Sequence, residues 1–411
     1  MGGGSRVDIR SLLFLQPFAV FCAAVCLIGP GRLRLDRVRA PLLFLAALAI
    51  VIAVQLVPLP PSVWSSLPGH ALYASALARE GIAPEWRPLT MTPDLTLASL
   101  VGLIVPAAVV TAYASVSEER ARHALPVILG FIVLGVLLAL LQLAGGEHSP
   151  FYTYEITNRG SPVGWLANRN HQAMLLTMAM PMLAIWAGQA PTAQGRRVRL
   201  GFAAVTAIVI LVLIGITGSR AGLLLMPVGL FFGWLQLRAD SAKLRKGREP
   251  VGPALRLILK VAPIVLGLAV IGAGLVLART ESFERLLSQD VAEDQRAQAF
   301  PIVARMTRDF FPVGSGFGSF DPLYRAYETP DALRTSYLNH AHDDLLELAM
   351  TGGLPALVLL AAFLVWYARC SWRIMTAPAS ATAGASFARL AVAMTLILLL
   401  AAWWTIPCER R

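Results

Sequence analysis

Long apolar runs recur along the whole chain, and short polar stretches separate them. Each run has roughly 17 or more residues, which is enough for an α-helix to cross the hydrocarbon core of a membrane. One interval breaks the pattern, because residues 278–344 form a long polar segment. The pattern predicts about ten membrane-spanning helices, at residues 11–29, 41–58, 94–114, 125–144, 171–188, 200–216, 221–237, 255–277, 345–368 and 390–406.

Composition supports a membrane fold. Hydrophobic residues make up 56% of the 411 residues, charged residues make up 14%, and the mean hydropathy is +0.64. A soluble domain carries about 25% charged residues. We therefore predict an all-α polytopic membrane protein, divided into a transmembrane bundle with short loops (1–277), a large, partly helical loop (278–344) and C-terminal transmembrane helices (345–411).

The positions of basic residues predict which side of the membrane each loop faces. The net charge of +11 comes mostly from Arg and Lys in short loops between spans, which is an orientation signal rather than a nucleic-acid surface. One alternate set of loops holds 17 basic residues, against 9 in the other short loops and the tails, so the first set is predicted to be cytoplasmic. The loops 59–93, 145–170, 217–220 and 278–344 then face the other side, which in a Gram-negative cell is the periplasm, across the bacterial inner membrane.

The long loop has three parts. Residues 279–311 show a helical pattern of apolar side chains and include Arg296. Pro312–Phe320 carries glycines at three alternate positions, which favour tight turns and close backbone approach, but it lacks the Lys-Ser/Thr ending of a phosphate loop. The loop ends in His340-Ala341-His342-Asp343-Asp344. Its acidic residues outnumber its basic ones as far as Asp331, so any anion site depends on a few placed arginines.

Residue types alone leave three interpretations of this histidine-rich end open. His340 and His342, with Asp343 and Asp344, could bind a metal ion. The two carboxylates also suit the first turn of a helix, where acids offset the helix dipole. A histidine at the membrane surface, oriented by a carboxylate, could instead act as a general base. Spacing does not decide between these interpretations.

Two other outside loops carry further candidates. Asn168, Arg169 and Asn170 precede a predicted span, where they could cap the helix or bind an anionic lipid head group. Capping is favoured, because caps are so common. Arg220 ends the turn 217–220, and it could either reach along the helix to the membrane surface or bind an anion between its two helices.

The ordered set of motifs resembles the O-antigen ligase/polymerase family of membrane glycosyltransferases, over most of the chain. The run that begins at His340, with Gly352-Gly353-Leu354-Pro355 downstream, is similar to the family's His-Ala-His-Asn-Asp and Gly-Leu-Pro-Gly signature. Arg296, four residues before Phe300, resembles the family's loop arginine that precedes an aromatic residue. The other matching runs are 55–61, 167–171, 217–222 and 312–320.

The resemblance implies transfer of a glycan from an undecaprenyl-diphosphate carrier to a lipid, glycan or protein acceptor, without a metal ion or cofactor. It implies that Arg220 and Arg296 bind the diphosphate, since arginine keeps its charge in a partly dry site. The element of Asn168, Arg169 and Asn170 is implied to contact the same carrier.

The resemblance also implies roles for the histidines. His342 would deprotonate the acceptor hydroxyl as it attacks the anomeric carbon, and His340 or Asp343 would orient it. In-line attack opposite the diphosphate would invert the anomeric centre. The family usually has Asn where Asp343 stands, so this carboxylate is expected to raise the pKa of the histidine.

Several functions share this donor chemistry. A ligase joins polysaccharide to a lipid core, a polymerase extends carrier-linked repeats, and an oligosaccharyltransferase modifies Ser or Thr of a protein. A transporter of the lipid-linked glycan is a different class, and it would require charged residues inside the spans. The predicted spans are almost uncharged, which favours an enzyme.

Both ends of the chain depart from the family. The predicted orientation puts Met1 outside without a preceding signal, so we expect one N-terminal helix to be missing. The tail 402–411 does not resemble the family's Ser-Leu-Val-Asp-Tyr-Pro-Leu-Arg continuation, although a one-base shift of suitable codons would encode Leu-Val-Asp-Tyr-Pro-Leu-Arg. We therefore expect a truncated or frameshifted C-terminus, with twelve spans in the intact family.

Overall fold

The computed structural model describes residues 12–29, 33–246, 257, 291–330, 340, 344–377 and 383–404. Regular structure in this part of the chain is almost entirely helical, and its two strands have two residues each. The elements are α1 (Leu12–Ile28), α2 (Leu35–Gln55), β1 (Pro58–Leu59), α3 (Pro61–Trp64), α4 (Ala71–Arg79), β2 (Arg87–Pro88), α5 (Pro93–Gly102), α6 (Ile104–Ser115), α7 (Glu118–Arg122), α8 (Ala124–Gly145), α9 (Arg169–Gly188), α10 (Ala193–Ile216), α11 (Arg220–Lys246), α12 (Val291–Phe310), α13 (Phe320–Tyr327), α14 (Asp344–Thr376) and α15 (Ala383–Trp404).

The helices confirm an all-α polytopic membrane protein. Among the predicted spans, 255–277 lies outside the described residues apart from residue 257, and each of the others coincides with a helix or, at 94–114, with the consecutive pair α5 and α6. Within the described residues, 7 helical segments are long and apolar enough to cross a membrane. They are Leu35–Gln55, Pro93–Ser115, Glu118–His148, Ala193–Ile216, Arg220–Ala239, Asp344–Thr376 and Gly384–Ala402.

The described residues form two compact units. The first combines Met1–Glu118 with Val291–Trp366, so the two halves of this unit are far apart in sequence. In it, α6 contacts α1 and α2, and α2 also contacts α5. Helices α12 and α13 share a buried cluster that includes Met306, Phe310 and Phe320. The antiparallel strands β1 and β2 close the segment between α2 and α5.

Helix α9 is the centre of the second unit, which contains Glu119–Asp290 and Tyr367–Pro407. It contacts α8, α10, α11 and α15. The approach of α11 to α9 is close because α11 presents glycines. A Cβ atom at Gly229 would lie 2.6 Å from the carbonyl oxygen of Thr177, and one at Gly222 would clash with the Cβ of Ala173. Small residues allow membrane helices to pack at short distance, so these glycines determine the α9–α11 contact.

Candidate active site

The glycine run of the long loop is a tightly turned segment, as its composition predicts. Gly314, Gly316 and Gly318 have φ values of 89°, 105° and 86°, which belong to the left-handed region that favours glycine. A Cβ atom at Gly316 would overlap the Thr90 side chain, and one at Gly318 would lie 2.9 Å from the Cβ of Leu95. Protein atoms fill the space beside these glycines, so the run serves close packing of the backbone.

The run is hydrogen-bonded to a break in helix α14. Gly353 interrupts the helical backbone with φ 62° and ψ −160°. The amide nitrogens of Ser315 and Gly316 donate to the carbonyl oxygens of Met350 and Thr351, at 2.8 and 2.9 Å. The amide of Leu354 donates to the Pro312 carbonyl at 2.8 Å. The loop therefore supplies partners for backbone groups at the break, where regular helical bonding is interrupted.

Gln55, the last residue of α2, joins this arrangement from a third element. Its side chain is buried. Its Nε2 donates to the carbonyl oxygen of Thr351 at 2.9 Å, and its Oε1 accepts from the amide of Phe317 at 3.0 Å. The sequence offered one signal for this role, since an uncharged polar side chain inside an apolar span usually has a specific partner.

At the end of the long loop, the described histidine is paired with a carboxylate. The Nδ1 of His340 lies 2.9 Å from Oε1 of Glu347, which is in the first turn of α14. The side chains of His340 and Glu347 are 41% and 20% exposed, so the pair is open to solvent on one side. An ionised carboxylate only accepts hydrogen bonds, so Nδ1–H donates and a neutral ring keeps Nε2 as its basic atom. His342 and Asp343 lie outside the described residues.

Glu347 is not among the site residues that the sequence predicts. A carboxylate shortly after a histidine pair, at the start of an apolar helix, is a weak signal by itself. The metal interpretation involved His342 and Asp343, which are not described. Among the described residues, no group of three or more His, Cys, Asp or Glu side chains could hold a metal ion.

Arg296 lies in α12, and the structure describes the helix there but not the Arg296 side chain. The helix itself packs against the start of α14 in the same unit, because Thr307 Oγ1 donates to the Leu346 carbonyl at 3.3 Å. The face of α12 that includes Val303 and Met306 is buried. Arg296 and His340 thus belong to segments of one unit, the first on α12 and the second just before α14.

In the second unit, Asn168 is the N-cap of α9. Its Oδ1 accepts from the amide of Asn170 at 2.8 Å, which is the capping interaction that the residue types favour. The amide of Arg169 donates to Oδ1 of Asn158 at 2.9 Å. Asn168 is buried, whereas the side chains of Arg169 and Asn170 are partly exposed.

The turn before α11 positions Arg220. Helix α10 ends at Ile216, Gly218 has φ 62°, and the Oγ of Ser219 accepts from the amide of Gly222 at 3.0 Å. The buried serine therefore caps the first turn of α11. Arg220 is the first residue of this helix and is partly exposed.

A known protein family matches the part of the chain that carries Arg220, Arg296 and His340. Residues 202–361 match the family model described as O-antigen ligase. The chain carries an O-antigen ligase family domain. Members of this family are glycosyltransferases of the ligase or polymerase type that act in polysaccharide assembly. No curated protein matches the chain.

The O-antigen ligase domain contains most of the predicted site. The matched range includes both proposed diphosphate ligands, Arg220 and Arg296, and the histidine-rich run that begins at His340. The cap of α9 at Asn168 precedes it. The matched range therefore belongs to a multi-pass membrane protein, and its candidate residues come from the turn at Arg220 and from the long polar segment.

Proposed function

We propose that this protein transfers a glycan from undecaprenyl diphosphate to an acceptor hydroxyl, with inversion at the anomeric carbon and without a metal ion. The observation that carries the proposal is the single matched range, 202–361, which contains Arg220, Arg296, His340, His342 and Asp343. The finding that His340 hydrogen-bonds to Glu347 supports it, because an oriented imidazole is what acid–base chemistry requires.

The leaving group determines the need for arginine. When the anomeric carbon–oxygen bond breaks, the electron pair stays on the diphosphate, and its negative charge must be stabilised. Arg220 and Arg296 are the proposed diphosphate ligands, since guanidinium stays protonated and binds phosphate oxygens with two parallel hydrogen bonds. Asn168, Arg169 and Asn170 are proposed to contact the carrier, with amide and guanidinium donors near the positive end of α9.

The acceptor determines the need for a base. Its hydroxyl oxygen forms the new bond to the anomeric carbon, and its proton passes to His342 as undecaprenyl diphosphate leaves. His340 or Asp343 orients His342, and Glu347 fixes His340 in turn. The acceptor attacks from the face opposite the diphosphate, which inverts the configuration. The reaction takes place on the periplasmic side of the bacterial inner membrane, where the long loop is proposed to lie.

Transfer by the purified full chain in lipid nanodiscs tests the proposal. The donor is undecaprenyl-diphosphate-linked glycan, and mass spectrometry identifies the product. Separate reactions supply a lipid core oligosaccharide, a carrier-linked repeat or a protein rich in Ser and Thr, so the product distinguishes ligase, polymerase and oligosaccharyltransferase. Transfer that requires an added divalent cation would overturn the metal-independent part of the proposal.

Two variants test the residue assignments. His342→Ala and Arg296→Ala are expected to abolish transfer while insertion into the membrane is retained. The matched controls are His148→Ala and Arg79→Ala, because both side chains are exposed in other outside loops. Normal transfer by either site variant would reject its assigned role.

A further inference from the structure

The first unit contains a small polar cavity that none of the proposed catalytic residues lines. Its volume is about 330 Å³, and its lining includes Gly69, Leu72, Arg305, Asp309 and Tyr327. All of these residues come from the two segments 59–93 and 278–344, which are predicted to face the same side of the membrane. Binding cavities for small molecules occupy roughly 300–1,000 Å³, so this one suits a single ring-sized group.

The charged residues of the cavity do not neutralise each other. Arg305 and Asp309 are four residues apart on α12, a spacing that often produces an ion pair. In this described part of the chain they form none within 4.0 Å. Instead, the Tyr327 hydroxyl donates to Oδ2 of Asp309 at 3.0 Å, and the Arg305 guanidinium lies 5.9 Å from the centre of the Tyr327 ring.

This arrangement keeps a donor and an acceptor available side by side. Burial and the hydrogen bond to Asp309 raise the pKa of Tyr327, so its hydroxyl stays protonated and continues to donate. The second oxygen of this carboxylate, Oδ1 of Asp309, makes no hydrogen bond among the described residues and can accept one from a ligand. The guanidinium of Arg305, which is exposed, can donate several.

The donor and acceptor groups of the cavity indicate which class of ligand it would bind. A small anion is attracted by Arg305 but repelled by Asp309, and a simple cation has the opposite balance, so neither is favoured. Neighbouring hydroxyl groups on a sugar both donate and accept, so one can bind Asp309 and the next can bind Arg305. The apolar face of a pyranose ring can lie against Tyr327 and Leu72.

We propose that this cavity is a subsite for one pyranose ring of the glycan that the enzyme transfers or extends. The assignment rests on the proposed function for its place in the reaction, although the binding chemistry stands on the cavity alone. The ring could belong to the donor glycan or to a glycan acceptor, since both present the same hydroxyl pattern.

A binding experiment with the full chain in nanodiscs tests the cavity without requiring transfer. The probe is an oligosaccharide released from the surface polysaccharide of the source cells, and saturation-transfer NMR measures its Kd. Asp309→Asn and Arg305→Gln are each expected to weaken binding about tenfold, as the loss of one charge-assisted hydrogen bond does. The controls Asp321→Asn and Arg325→Gln disrupt a neighbouring ion pair on α13 that is outside the cavity and are expected to bind as the parent does.

Steady-state transfer then identifies the source of the ring. A raised KM for donor in the two cavity variants assigns the ring to the donor, whereas a raised KM for acceptor assigns it to the acceptor. If transfer proceeds and both variants match the controls in Kd and KM, the subsite is refuted and the proposed function stands. If undecaprenyl-diphosphate transfer fails but binding is weakened only in the cavity variants, the subsite stands and the proposed function is refuted.

Discussion

The side chain of Gln55 donates a 2.9 Å hydrogen bond to the carbonyl oxygen of Thr351, which is 296 residues later in the sequence. The same amide accepts from the backbone of Phe317. One residue at the end of α2 thus holds both the glycine run and the break in α14, the helix on which Glu347 contacts His340. The relationship makes the conformation of the long loop depend on a side chain in a distant span.

Gln55→Leu is expected to lower the free energy of unfolding by about 1–3 kcal/mol, because the buried carbonyl of Thr351 loses a donor and the partly buried amide of Phe317 loses its acceptor. Thermal unfolding of the detergent-solubilised protein measures the change. Gln189→Leu is the control, since this glutamine is exposed at the end of α9. Equal midpoints for the two variants would show that the Gln55 contacts contribute nothing to stability.

Gly316→Ala is expected to destabilise the protein more than a glycine substitution at another left-handed position. Gly81 has φ 69° and open space around its Cβ direction, so Gly81→Ala adds only backbone strain of about 1 kcal/mol. Gly316→Ala adds overlap with Thr90, which costs about 1–3 kcal/mol more. The same unfolding experiment compares them, and a smaller effect at Gly316 would contradict the packing described here.

Some of this arrangement follows from sequence and some does not. The membrane spans can be predicted from the sequence because the length of an apolar run is a local property. The turns at Gly314, Gly316 and Gly318 can be predicted because glycine tolerates positive φ. The partners of Gln55 cannot be predicted from the sequence, since hydrogen bonds across hundreds of residues depend on how the helices assemble. The cavity at Asp309 was missed for the same reason, because its lining joins two separate loops.

Glu347→Ala is expected to reduce kcat for transfer on the order of 10²-fold, because a misplaced catalytic group costs about that much. Glu347→Gln retains an oxygen that can accept from His340 Nδ1–H, so it is expected to recover much of the rate. Transfer assays on the two variants and on His340→Ala check this. If Glu347 acts through His340, the alanine substitution has no further effect in the His340→Ala background. Losses that multiply would indicate independent roles.

The raised pKa of Tyr327 predicts how the stability of the protein responds to alkaline pH. Burial and the hydrogen bond to Asp309 raise its pKa above the ordinary value of 10.0. The folded state therefore keeps the phenolic proton after the unfolded chain has lost it. The resulting stabilisation is complete below about pH 10 and declines as the pH rises toward the folded pKa.

Tyr327→Phe is expected to reduce the fall in Tm between about pH 9 and about pH 11. Identical pH dependence in Tyr327→Phe and the parent would show that the Tyr327–Asp309 contact is not maintained.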